Sequence, residues 1–314
     1  MTRASPGITR REALQVLGVA ATGALVLAGC SRPEPAPPTL RLATGPAGAV
    51  YREMGAALIE LWNRAWGADV VHAVLTGASV DNLGLLLDGE VDLGFVNVDV
   101  AGPHRDELRS LLRVFDSVVQ VLVPVGSSAH TLADLEGLRV SLGLPGSGTR
   151  FVADRLLEVS GTSVVRSGLG QQEAAQALAG GHIDALVSLT AMPTPAVTWL
   201  LDQPGDGYRF VPLGPAAARM HEEFRAEYLD VTISQAVYPG IAPTPTLAVP
   251  TLLLARSDLP DDVARFLTRT TIEGAATLRD VRPEAWQINA RTAIATSPVP
   301  LHPGSAAWFR AVKP

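Results

Sequence analysis

Two stretches of this chain spell the same local plan. Residues 42–55, LATGPAGAVYREMG, and residues 142–156, LGLPGSGTRFVADRL, each read as an apolar strand, a glycine-rich turn and an amphipathic helix. Further on, LLLDGEVDLGFVN (85–97) and ALAGGHIDALVSL (177–189) share a helix end, glycine, Val/Ile-Asp and an apolar strand. The order is the same in both halves. Strands alternating with helices in this way build a parallel α/β sheet. In open α/β sheets, ligands bind beyond the carboxyl ends of strands, where helix N-termini converge. Two such lobes facing one another would make a clamp, with residues 44–51 on one jaw and 145–150 on the other. Chance similarity between two short α/β segments is the alternative.

The second jaw, Pro-Gly-Ser-Gly-Thr-Arg at 145–150, narrows the chemistry by what it lacks. A phosphate-binding P-loop needs a lysine before its hydroxyl residue, and none is present. A dinucleotide fingerprint needs a third glycine near 151, where Phe151 stands. A serine-hydrolase elbow needs glycines two before and two after Ser147; Pro145 and Thr149 occupy those places. What remains is a helix start with free N–H groups and two hydroxyls, suited to a small anion or polar solute. A plain turn capped by Ser147 or Thr149 is the structural alternative.

Buried parallel strands are expected at 40–44, 69–76, 91–97 and 118–125. A helix is expected from Ala49 to Arg64, with Val50, Met54, Leu58 and Leu61 on one face, and another from a Ser79 cap to Gly89. The run TLAVPTLLLARSD (246–258) reads as a strand returning to an existing sheet, followed by a helix start at Pro260. The expected arrangement is therefore a first lobe from 40–123 and 238–314 and a second from 124–237. Asp92 and Asp184, at the turns into strands, are expected to bond local backbone. The histidines at 72, 104, 130, 182, 221 and 302 have no ligand-like spacing, so no metal and no cofactor are expected.

The N-terminus sets the compartment. Thr-Arg-Arg-x-x-Leu at 9–14 precedes an apolar run ending in Leu27-Ala28-Gly29-Cys30. That is the pattern of a secretory leader over residues 1–29, with a twin-arginine character. Cys30, the only cysteine, follows Leu-Ala-Gly as in a lipoprotein cleavage site and is read as the lipidated first residue of the mature chain. The Pro-rich segment to residue 39 would tether the body to the membrane. The formal net charge of the whole chain is -6. With Lys313 as the only lysine and no basic tract, nucleic acid is an unfavourable partner.

Taken together, these pieces resemble the TAXI-type solute receptors (TRAP-associated extracytoplasmic immunogenic proteins) of tripartite ATP-independent periplasmic transporters. The resemblance is carried by LATGPAGAVYREMGAAL, TGASVDNLGLLLDGEVDLGFVNVDVA, LADLEGLRVSLGLPGSGTR, GGHIDALVSLTAMPTPA, YPG at 238–240 and LHPGSAAWFR at 301–310. It implies a type II periplasmic-binding-protein fold of two α/β lobes joined by two crossovers. It also implies capture of a small carboxylate or amino-acid solute, such as glutamate or 2-oxoglutarate, for a TRAP-type membrane permease. The family's first loop falls on Thr44, Gly45, Gly48 and Tyr51, and its Thr-x-x-Ser-x-x-Asn on Thr76, Ser79 and Asn82. Its post-strand polar pair falls on Asn97 and Asp99, and its second-lobe loop on Ser147, Gly148 and Thr149. Tyr238 would close the cleft, and Arg150 and Arg52 are candidate carboxylate partners. The first loop departs from the family's Gly-Ser-x-Gly-Gly-Thr-Tyr: Pro46, Ala47, Ala49 and Val50 reduce its polar groups, and Asn97 stands where Gln is frequent. Two other functions compete: a sensor of the same fold serving a membrane signalling protein, and a secreted hydrolase using Ser147.

Overall fold

The computed structural model describes residues 39–312 apart from 206 and 225–226. The expected leader, Cys30 and all but the last residue of the tether lie outside these described residues. Among them, no helix is long and apolar enough to cross a membrane.

The first repeat comprises β1 (Leu40–Ala43), α1 (Val50–Trp66), β2 (Val71–Val74), α2 (Ser79–Leu87), β3 (Leu93–Asn97) and the short α3 (Val98–Ala101). After the long β4 (Leu108–Pro124), the second repeat comprises β5 (Arg139–Ser141), α4 (Gly148–Ser160), β6 (Val165–Ser167), α5 (Gln171–Ala179) and β7 (Ala185–Thr190). Then come α6 (Pro195–Leu201), β8 (Tyr208–Phe210), α7 (Pro215–Glu223), β9 (Leu229–Ile233) and the long β10 (Thr244–Arg256). The chain closes with α8 (Asp261–Glu273), α9 (Ala275–Val281) and α10 (Pro303–Val312).

The strands run in the order β2-β1-β3-β10-β4-β7-β5-β6. β1 is parallel to β2 and β3, and β5 is parallel to β6 and β7. Each repeat therefore builds a parallel trio with its first strand in the middle. Between the trios lie the antiparallel β10 and β4. Near Val118, β4 passes from β10 to β7, and the first half of β10 pairs with β9. These two strands are the crossovers that join the α/β lobes. Of residues 118–125, expected as a parallel strand, 118–124 are instead the second half of an antiparallel one, and Val125 lies in the turn that follows. The first half of that strand, LRSLLRVFDS, escaped notice because Arg109, Arg113 and Asp116 interrupt the apolar run; Arg113 and Asp116 pair with each other 2.5 Å apart.

The repeat extends to side chains. Arg41 donates its N–H to the Asp92 carboxylate at 2.8 Å and its guanidinium to Gly89 O at 3.1 Å. Arg139 donates its N–H to Asp184 at 2.8 Å and its guanidinium to Gly181 O at 2.9 Å. The two aspartates thus bond a neighbouring strand far away in sequence, not local backbone as their turn positions suggested. The apolar face of α1 is buried through Val50, Met54, Leu58 and Trp62, and Trp62 Nε1 donates to Thr271 Oγ1 of α8 at 3.0 Å. This ties the first repeat to the returning C-terminal helices.

Candidate functional site

Each parallel strand of the two trios ends in a turn at one shared cavity of about 580 Å³. Its wall includes Pro46 to Tyr51 after β1, Gly77 to Ser79 after β2 and Asn97 at the end of β3. Opposite them lie Gly143, Leu144 and Ser147 to Thr149 after β5, Leu169 to Ala175 after β6, and Thr190 at the end of β7. First turns of α1, α2, α4, α5 and α6 therefore border one space. Helix N-termini expose unpaired N–H groups and a partial positive charge, so such a space attracts an anionic or polar group.

On the first-lobe side the polar residues are spent on one another. Ser79 Oγ donates to Asn97 Oδ1 at 2.8 Å, leaving its oxygen to accept from Tyr51 OH at 3.1 Å. Asn97 Nδ2 donates to Thr251 Oγ1 at 3.1 Å, and Thr251 also meets Ser117 Oγ at 2.9 Å. Burial pushes the Tyr51 phenol up to about 12, so it stays a neutral donor. Ser117 and Thr251 come from β4 and β10; no local motif pointed to them, since only the sheet brings them under the first loop.

Ser79 is not the cap of α2. The N-cap is Ala78, held at φ 99° without a side-chain cap bond. A positive φ at a residue with a Cβ costs about 1–3 kcal/mol and persists only where the surroundings impose it. Ala78 is held from both sides, its N–H donating to Thr76 Oγ1 at 3.1 Å and its carbonyl accepting from Asn82 N at 2.8 Å. Gly146 O accepts from Val80 N at 3.1 Å and from Asp81 N at 3.2 Å. The loop that opens α4 thus caps α2 across the cleft with a main-chain carbonyl. Gly146 has φ 77°, and a Cβ there would run into the Asp81 carboxylate. Gly148 is as confined: a Cβ would sit 2.5 Å from Asn97 Oδ1.

In the second lobe Ser147 Oγ donates to Leu144 O at 2.7 Å and accepts from Arg150 N at 3.1 Å, capping α4. Thr149 Oγ1 accepts from Leu189 N at 3.1 Å, fastening α4 to β7. Ser188, next along β7, lines the cleft at 3 % exposure, and its Oγ has no hydrogen-bond partner. Much of the remaining wall is apolar, including Leu144, Leu169, Ala174, Leu186, Val187 and Val197. The charged side chains on it are Glu53 and Glu173; no arginine, lysine or histidine borders the cavity among the described residues. Glu53 pairs with Arg282 at 2.8 Å, and Glu173 accepts from Gly170 N at 3.2 Å.

Of the residues singled out in the sequence, Gly48, Tyr51, Ser79, Asn97, Ser147, Gly148 and Thr149 line the cavity. The others lie behind it or elsewhere. Thr44 Oγ1 donates to Val74 O at 3.0 Å, and a Cβ on Gly45 would come within 3.2 Å of the Tyr51 Cβ. Thr76 Oγ1 donates to Asn82 Oδ1 at 2.5 Å, while Asn82 Nδ2 donates to Thr44 O and Phe95 O at 2.8 Å each. This pair braces the first turn from below. Asp99 is fully buried and accepts from Tyr228 OH at 3.0 Å. Tyr238 OH donates to Gln120 Oε1 at 2.8 Å and accepts from Thr194 N at 2.8 Å, beneath the crossover. Arg52 and Arg150 are not on the wall. Gln171 and Gln172, which sequence reasoning passed over, are on it, because α5 begins where the repeat aligns it with α2.

Two α/β lobes, paired trios and two crossing strands define a type II periplasmic-binding-protein fold. Solved structures with the same architecture include an L-cystine ABC transporter protein from Listeria monocytogenes, 14% identical, with a TM-score of 0.52 over 82% of this chain and 98% of that one. Another is a Xanthomonas citri protein bound to chloride, 15% identical, TM-score 0.52, covering 87% and 95%. A third is the GluR0 ligand-binding core from Nostoc punctiforme in complex with L-glutamate, 15% identical, TM-score 0.51, covering 77% and 96%. Residues 42–311 match the model of the NMT1-like family, and the chain belongs to that family.

Proposed function

We propose that this chain is an extracytoplasmic solute receptor of the TAXI type. It captures a small carboxylate or amino-acid solute between its lobes and delivers it to a TRAP-type membrane permease, with lipidated Cys30 and the Pro-rich segment as its membrane tether. The observation that carries this reading is the convergence of helix first turns from both lobes on one cavity. A solute bridging those turns would hold the lobes together, which is how capture can be signalled to a partner. Ser147 favours binding over hydrolysis: its hydroxyl caps its own helix, and no histidine borders the cavity among the described residues. The test is a thermal-shift screen of the purified mature protein across amino acids, oxo acids and carboxylates. A solute at one hundred times its Kd stabilises by about 2.7 kcal/mol. At least one such compound is expected to raise Tm; a flat response across the whole panel overturns the reading.

A further inference from the structure

We infer, resting on the receptor reading above, that the second-lobe end of the cavity, between α5 and α6, is a subsite for an aliphatic side group of the solute, and that Ala174 and Ala196 set the size it accepts. Successive side chains of a strand point to opposite faces of its sheet, and β7 is divided in this way. Val187 and Leu189 pack in the cluster that holds Val152, Ala153 and Leu156 of α4. Leu186 belongs to the other face, in one cluster with Ala174 and Ala175 of α5 and Ala196 and Val197 of α6. These five residues are buried, and all five border the cavity. Leu169, partly buried, packs against the same cluster and is on the wall as well. The cavity therefore ends in an apolar recess with Leu186 on the sheet side and one helix on either flank. Ala174 and Ala196 stand in the first turns of those two helices and each offers only a methyl group.

Such a recess selects its occupant by what it cannot hold. Water settles in a cavity only where several polar groups bond it, and none of these six side chains can. Poorly held water is displaced at a gain by an apolar group. A carboxylate placed there would lose its hydration and meet no cation, since no arginine, lysine or histidine borders the cavity among the described residues. The first-lobe side is of another kind. Its Tyr51, Ser79 and Asn97 present hydroxyl and amide groups already bonded to one another. Discrimination by side group thus falls to the second lobe.

Isothermal titration with two homologous series tests the recess: alanine, 2-aminobutanoate, norvaline and norleucine, and the matching 2-oxo acids from pyruvate to 2-oxohexanoate. In at least one series, affinity is expected to rise about fourfold with each methylene group, the gain from burying it. Glutamate and 2-oxoglutarate are expected to bind at least about tenfold more weakly than norleucine and 2-oxohexanoate. Ala174→Val and Ala196→Val narrow the recess from its two flanks. Each is expected to weaken the longest compound by about tenfold and to leave the shortest as in the parent. Damage to the fold or to closure would weaken every member alike, so the ratio of longest to shortest is the readout. Affinity that does not grow with chain length, or tightest binding of glutamate or 2-oxoglutarate, overturns the inference and leaves the receptor reading standing. Absence of binding by both series also overturns it, and only the wider screen decides the receptor reading. If both variants keep the parent's ratio, the two alanines do not bound the side group and their assignment is wrong.

Discussion

Asp99 shows how far a residue's sequence position can mislead about its work. It follows the β3 strand, where a ligand-facing role was expected, yet its carboxylate is enclosed between Tyr228 OH and its neighbour's amide, Val100 N, at 3.0 and 2.9 Å. Burial pushes its pKa up to about 7, against the opposing effects of the Tyr228 hydrogen bond and Arg155. An acid with a raised pKa binds its proton more tightly folded than unfolded. Its contribution to stability is therefore full below about pH 4 and is lost as pH rises to about 7. Asp99→Asn is expected to flatten the decline of the urea midpoint between those limits. An unaltered slope in that variant would rule Asp99 out as its source. A cap at Ser147 or Thr149 was legible as one of two readings of that turn, and the structure gives it to Ser147; the cap expected at Ser79 failed, because α2 takes a main-chain acceptor from a distant loop. The bonds of Thr149 to Leu189, Asp92 to Arg41 and Asn97 to Thr251 were not legible. Each joins residues that only the finished sheet brings together.

Among the elements, the repeated strand, turn and helix were readable because their periodicities are local. The extent of β4 was not, since paired polar residues break its apolar pattern. The C-terminal helices depend on fit that no pattern announces. Gly304, in the first turn of α10, lies so close to Asp261 of α8 that a Cβ would overlap the Asp261 carbonyl group. Main chain cannot swing aside as a side-chain tip can. Thr268 Oγ1 and Ser305 Oγ meet 2.7 Å apart across the same contact. Gly304→Ala is expected to destabilise the protein by about 1–3 kcal/mol, the usual cost of overpacking. Urea denaturation measures this directly, and a parent-like midpoint would mean that the two helices can separate at little cost.

For the whole molecule, one contact between the lobes is made by main chain alone: the Gly146 carbonyl on the Val80 and Asp81 amides of α2, at 3.1 and 3.2 Å. Gly146→Ala would strain a residue at φ 77° and press a methyl group into the Asp81 carboxylate. It is expected to part the lobes, raising the radius of gyration in small-angle scattering and hastening hydrogen exchange at the Val80 and Asp81 amides. Unchanged exchange at those two amides would show that the contact does not hold the cleft. We place the hinge where β4 and β10 change partners, near Val118 and Ala248. The lobe boundaries drawn from sequence, 40–123 with 238–314 and 124–237, remain our proposal for the moving bodies. The carbonyl contact also bears on heredity. Because its acceptor is main chain, most side-chain replacements in a lineage leave that atom in place. Only changes that alter backbone shape, at Gly146 above all, can erase it. Side chains on the cavity wall, Leu186 and Val187 among them, can therefore be exchanged over generations while this main-chain contact is inherited intact.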